Sequence, residues 1–180
     1  MNQTKNLSLM GILLATIIIC SWIFIPMTIP ITLQTFAIFL TVRILGTWKS
    51  FLTVFSYILL GVIGLPVFSG FKSGIVAITG PTGGYILGFL FTVIVTGKIL
   101  DQFEHSKPWR IFSMILGLFV CYLFGTLWFV KFYTKSPMSF FKAFSLCVLP
   151  FIIPDILKIF LADYLGSILK KFLKGRYYES

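Results

Sequence analysis

The sequence predicts an all-α membrane protein, a single integral membrane domain across residues 1–180. Composition comes first: 58% of the residues are hydrophobic and 11% are charged, where a soluble domain carries about 25% charged residues. Mean hydropathy is +1.00. The second observation is spacing, because apolar runs recur between short stretches rich in Pro, Gly or charge. A helical span takes about 20 residues, so roughly five to seven spans consume the chain and leave no room for a separate soluble domain. Soluble globular and disordered classes are excluded on the same ground.

Span one runs from about Leu7 to Ile25 and ends before Pro26. Lys5 ahead of an apolar run looks like a signal peptide. No small-x-small cleavage site lies near Pro26, so the segment reads as a retained first span. Pro26 and Pro30 bracket a short outer connection, and span two runs from about Ile31 to Leu45. Gly46 to Ser50 turns the chain into span three, about Phe51 to Leu65. A Gly-rich loop from Pro66 to Pro81 leads to span four, about Thr82 to Leu100. A charged loop, Asp101 to Arg110, precedes span five, about Ile111 to Val130. The apolar stretch from Met138 to Leu169 exceeds one span of about 20 residues. Pro150 and Pro154 break it, since proline lacks a backbone donor and clashes with the preceding turn. Ser139 to Leu149 then reads as a short outer interfacial helix, span six as about Phe151 to Phe172, and Lys174 to Ser180 as a polar tail.

Lysine and arginine set the orientation. With an inside N-terminus, the inner segments carry Lys5, Arg43, Lys49, Lys98, Lys107, Arg110, Lys170, Lys171, Lys174 and Arg176. The outer segments carry only Lys72, Lys131, Lys135 and Lys142. The positive-inside bias therefore gives six transmembrane helices with both termini cytoplasmic. The same bias accounts for the net charge of +10, which faces anionic lipid rather than nucleic acid. No basic block is interleaved with aromatics as a nucleic-acid groove would be.

Asp155 and Lys158 interrupt the greasiest part of span six and share one helical face. A charge inside a bilayer costs roughly 3 kcal/mol or more unless it faces the protein interior and finds a partner. The pair is the first place to look for a polar ligand. Asp155 lies about 22 Å from the cytoplasmic exit near Lys170 at ~1.5 Å per residue, which puts it in the outer third of a core about 30 Å thick. The Gly-rich loop and the Pro26–Pro30 turn lie on the same side, so one outer pocket is expected. Gln34 stands alone near the outer end of span two, as a hydrogen-bonding group for a ligand or an interhelical contact. Lys72 is either a cation for a carboxylate at the pocket mouth or an ordinary loop charge. Asp163, deeper in span six, is expected to pair with an inner lysine, and His105 to be solvated.

The segment from Gly61 to Tyr85 has two readings. Glycines permit close backbone approach, and irregular backbone survives at membrane depth only where protein or a cavity satisfies it. It is either a re-entrant or capping loop between helices 3 and 4, or an ordinary outer loop. Gly11-Ile-Leu-Leu-Ala15 is a small-xxx-small pattern suited to close helix packing. Cys20, Cys121 and Cys147 have no metal-like spacing and read as small buried hydrophobes. Gly80-Pro-Thr-Gly-Gly84 lacks the Gly-Lys-Ser/Thr ending of a phosphate loop, and no His-Glu-x-x-His or intramembrane serine–histidine site is present. The chain reads as a non-enzyme, with no cofactor and no metal.

Gly64-Leu-Pro-Val-Phe-Ser-Gly70, Gly80-Pro-Thr-Gly-Gly-Tyr85 and Pro150-Phe-Ile-Ile-Pro-Asp-Ile-Leu-Lys158 occur in this order, after a Pro30-Ile-Thr-Leu-Gln34 stretch. Together they resemble the BioY family, the biotin-binding S components of energy-coupling-factor (ECF) vitamin transporters. The resemblance covers nearly the whole chain. It implies a six-helix S-component bundle in the cell membrane, with a biotin pocket near its outer face. It also implies two kinds of partner: a transmembrane T component facing Gly11 and Ala15, and two cytoplasmic ATPases. Ser73-Gly74 stands where the family often has two glycines, and Pro154 where a glycine is usual, which bears on the fine shape of the pocket. Within this resemblance Asp155 accepts from the ureido N–H groups and Lys158 donates to the ureido oxygen. Gln34 and the Gly83 and Gly84 amides add polar contacts, Phe68 and Tyr85 pack on the fused rings, and Lys72 meets the carboxylate. The alternatives are an S component for another vitamin, which a ligand screen would reveal, and a non-transport membrane protein whose charges only fix helix packing.

Overall fold

The computed structural model describes residues 3–27, 29–133 and 140–178. It is built from helices: α1 (Gln3–Trp22), α2 (Gln34–Leu45), α3 (Thr47–Val62), α4 (Ile75–Thr79), α5 (Gly83–Phe103), α6 (Lys107–Trp128), α7 (Phe140–Cys147) and α8 (Leu149–Tyr178). Two short strands, β1 (Phe24–Ile25) and β2 (Ile31–Thr32), pair antiparallel between α1 and α2. Four helical stretches are long and apolar enough to cross a bilayer: Gln3–Trp22, Gly83–Phe103, Lys107–Phe132 and Phe144–Leu173. The apolar helices α2 and α3 are shorter, at 12 and 16 residues. At 1.5 Å per residue these span about 18 and 24 Å. The expected second span begins three residues later than Ile31, because Ile31 and Thr32 are spent on the hairpin.

The chain between α7 and α8 corrects one expected break. Pro150 stands in the first turn of α8, and Pro154 lies inside the helix without ending it. A first-turn residue has no intrahelical N–H partner to lose, so Pro150 is tolerated at no cost in hydrogen bonds. Pro154 removes one bond near the helix start. The break between the two helices falls at Val148 instead. Thr28, the Lys135 assigned to an outer segment, the Ser139 start of the outer helix and the final Glu179–Ser180 of the polar tail lie outside the described residues.

α5 lies lengthwise against α6, and α8 packs on α2. Packing produces two apolar clusters. One gathers Ile17, Ala37, Val54, Tyr57, Phe68, Ile86 and Val93 from α1, α2, α3, α5 and the α3–α5 connection. The other gathers Phe39, Met114, Tyr122, Phe129, Phe151 and Ile159 from α2, α6, the π-helical turn Phe129–Tyr133 and α8. Phe36 and Tyr85 touch both clusters. The outward faces remain apolar: Leu7, Phe119, Ile153, Leu157 and Tyr164 are exposed. A helix that is hydrophobic on its outer face and carries its polar groups inward suits a lipid solvent.

Candidate functional site

A cavity of about 700 Å³, its open mouth included, lies at the seam between the two clusters. Its most polar wall comes from the start of α8. Residues 155, 158, 159, 162 and 163 recur at helical spacing and all are buried, so the helix turns this stripe inward. Lys158 Nζ donates to Asp155 Oδ1 at 2.7 Å. Thr35 Oγ1 donates to the same oxygen at 2.8 Å, and the Tyr122 hydroxyl donates to Oδ2. Asp155 is 2% exposed and Lys158 7%. Both nevertheless border the cavity. A carboxylate offers about four acceptor positions and an ammonium three donors. Among the described residues the neighbours use most of the former and only one of the latter, so the pair is neutralised while Lys158 keeps donors to spare beside an open space.

Gln34 begins α2 on another wall. Its Nε2 donates to the Tyr57 hydroxyl at 2.6 Å, and its Oε1 accepts from Thr32 Oγ1 at 3.0 Å. These bonds fix the amide plane and leave one amide hydrogen for a ligand. The connection between α3 and α5 covers the cavity and is tied down from below. Val67 O accepts from Ser21 Oγ at 2.6 Å and from the Tyr57 hydroxyl at 3.1 Å. Pro66 O accepts from Trp22 Nε1 at 2.9 Å. The Phe68 ring meets Tyr57 edge-on, with centroids 5.5 Å apart. It also lies against Gly61, where an added Cβ would sit 2.0 Å from the ring. Glycine there is the condition for this close approach.

Asp155, Lys158, Gln34, Phe68, Lys72 and Tyr85 thus surround one space. Lys72 is exposed, at the mouth. Tyr85 is held by a hydroxyl bond of 3.2 Å to Cys147 O. Gly83 and Gly84 are the correction: neither borders the cavity. The Gly83 amide is spent on Gly80 O at 3.1 Å. A Cβ at Gly83 would fall 1.5 Å from Ile78 O, and one at Gly84 would fall 2.2 Å from the Trp128 Cβ. These glycines let α4 and α6 close on the start of α5. Gly11 and Ala15 lie away from the cavity, exposed on one face of α1. Thr35, Tyr122, Ser69, Cys121 and Phe151 line the space without having been singled out from sequence.

The opposite end of the bundle holds the other buried charges. Asp163 pairs with two arginines rather than a lysine: Arg110 Nε lies 2.7 Å and Arg43 Nε 3.2 Å from Oδ1. Arg43 NH1 also reaches Glu104 at 3.4 Å, and Lys170 pairs with the same glutamate. His105 is exposed.

The cavity therefore offers a buried ion pair with unused donors, an amide, an aromatic and aliphatic middle, and a cation at the mouth. It suits a ligand with a small polar ring, an apolar body and an anionic end. Comparison with known proteins points the same way. A sequence model described as the BioY family matches residues 1–175. The "Biotin transporter BioY" of Thermotoga maritima is 38% identical over 162 residues, covering 89% of this chain and 93% of that one. "Biotin transporter BioY2" of Lactococcus lactis is 36% identical over 176 residues, covering 96% and 95%. A crystal structure of the S-component for biotin from an ECF-type ABC transporter superposes with a TM-score of 0.86 at 27% identity, covering 95% of each chain. With its family motifs brought together around one cavity and its whole length matched, this chain belongs to the BioY family.

Proposed function

We propose that the chain is the substrate-binding subunit of a biotin uptake transporter. The observation that carries this reading is the Asp155–Lys158 pair, bonded at 2.7 Å yet bordering a cavity. Biotin presents a ureido ring with two N–H donors and a carbonyl. Its carbonyl takes the unused Lys158 donors and the free amide hydrogen of Gln34, and an N–H group takes the remaining Asp155 acceptor position. Charge-assisted bonds of this kind strengthen where water is excluded. Phe68, Tyr85 and Phe151 pack on the fused rings, and Lys72 receives the valerate carboxylate at the mouth.

The same reading takes all six longer helices through the cell membrane, with both termini cytoplasmic and the cavity outside. Connections alternate between the cavity end and the Asp163 end, and the lysine and arginine bias supports that orientation. The tryptophans agree: Trp22 and Trp128 end their helices towards the cavity, while Trp48 and Trp109 begin theirs at the far end. Tryptophan collects at membrane interfaces. The short α2 and α3 complete their crossings with the residues that flank them. The exposed Gly11–Ala15 face of α1 is where a transmembrane T component docks, and two ATPases bound on the cytoplasmic side supply the energy.

Biotin titrated into the detergent-purified chain tests the reading. Saturable binding, with thiamine and riboflavin failing to compete, is the expected result; a rival vitamin that binds tighter overturns it. An impermeant thiol reagent applied to whole cells tests the orientation. It labels a cysteine placed at Lys72 and spares one placed at Lys107.

A further inference from the structure

Ser69 carries the inference. Its hydroxyl oxygen is buried and has no hydrogen-bond partner among the described residues, and Ser69 borders the cavity. A buried hydroxyl left without a partner is unfavourable, and native structures rarely keep one without cause. The turn that holds it is constrained. Phe68 and Lys72 form an antiparallel bridge, with Phe68 N–H donating to Lys72 O at 3.1 Å. Between them Gly70 has φ +71° and Phe71 φ +57°. The second value is strained for a bulky residue, and such strain persists only where the surroundings hold it. Here Phe71 stacks on Trp22 with centroids 5.1 Å apart, and Val67 O just before the turn takes the bonds from Ser21 and Tyr57 described above. The turn is a rigid platform. It presents two groups to the cavity, the Ser69 hydroxyl and the Lys72 side chain, and no ion pair engages that lysine among the described residues.

We propose that Ser69 is a specificity-determining residue, whose hydroxyl donates beside the Lys72 ammonium to the ligand's carboxylate. This rests on the binding role proposed above. The two groups are three positions apart in one turn, and a carboxylate has acceptor positions enough for both. A neutral end group gains less from a cation and a hydroxyl than an anion does. The platform therefore selects ligands that end in a charge, while the Asp155–Lys158 wall recognises the ring.

Calorimetric titration of biotin and of biotinamide, which keeps the ring and lacks the charge, tests this. Ser69→Ala lowers biotin affinity about tenfold or more, the effect of losing a hydrogen bond to a charged group. It leaves biotinamide affinity within about twofold, and Ser69→Thr restores most of the biotin affinity. An unchanged biotin affinity in Ser69→Ala overturns the assignment. Equal losses for both ligands also overturn it, because a purely structural serine would affect them alike. Ser69→Cys, close in size and a weak donor, gives the same comparison should the alanine variant fail to fold. Wild-type chain that binds no biotin refutes the underlying function instead, so the two failures are separable.

Discussion

α8 carries two buried carboxylates about two turns apart, and they live in different surroundings. Asp155 shares its oxygens among one lysine, one threonine and one tyrosine, beside a cavity. Asp163 is enclosed by Arg43 and Arg110, which Glu104 and Ser167 tie further. Arginine presents a rigid fork that fills both oxygens of a carboxylate, and Arg110 does this through Nε and NH2. The far network joins α2, α6 and α8 where the α5–α6 connection turns, and there Arg43 Nε stands at ion-pair distance from Asp163 without a hydrogen bond. The Asp155 site leaves ammonium donors facing open space. The difference teaches that a buried charge signals a ligand when its hydrogen bonding is incomplete next to room for one; charges paired away from that cavity signal packing.

Substitutions can break or sharpen that contrast. The largest effect is expected at the closed end. Asp163→Asn leaves the nearly enclosed Arg43 without compensation, and removing one partner of a buried pair costs about 3–5 kcal/mol. Thermal unfolding in detergent is expected to fall steeply, with biotin affinity unchanged wherever the protein is still folded. Asp155→Asn has the converse profile. It removes charge-assisted bonds that each contribute about 1.5–3 kcal/mol, so biotin affinity drops roughly a hundredfold or more. Stability falls less than in Asp163→Asn, because the cavity lets water reach Lys158. Tyr122→Phe deletes one hydroxyl bond to Asp155 and is expected to weaken binding by about 1–2 kcal/mol, as read by equilibrium titration. The smallest effect belongs to the exposed Lys72: Lys72→Gln costs less than about 1 kcal/mol, and the difference from wild type shrinks as salt shortens the screening length.

The sequence exposed the parts of this contrast that chemistry makes conspicuous. Asp155, Lys158 and Gln34 stand out because polar side chains are rare in apolar runs, and all three reach the cavity. Depth along the helix separated Asp155 from Asp163, but it could not name the partners of Asp163, which lie on α2 and α6, far away along the chain. The expectation of a lysine partner failed there because arginine's fork, reached only through folding, fits better. Tyr122 and Thr35 were missed for a related reason. A tyrosine in an aromatic-rich span looks like any other, and Thr35 is a small hydroxyl that bonds its own helix as readily as another. Gly83 and Gly84 show the reverse error. Glycine announces a close approach, but whether the approaching atom belongs to a ligand or to Ile78 and Trp128 is decided by tertiary packing. The Pro150–Pro154 stretch was legible as irregular. The helix break nonetheless fell at Val148, since proline near a helix start loses little.

The central claim is that the open carboxylate holds the vitamin and the closed one holds the bundle. The most direct test titrates biotin into purified wild-type, Asp155→Asn and Asp163→Asn chains, and follows the unfolding of each. The account predicts that Asp155→Asn stays folded and loses biotin, while Asp163→Asn loses stability and, below its lowered melting point, still binds. Asp155→Asn chain that binds biotin as tightly as wild type would contradict it.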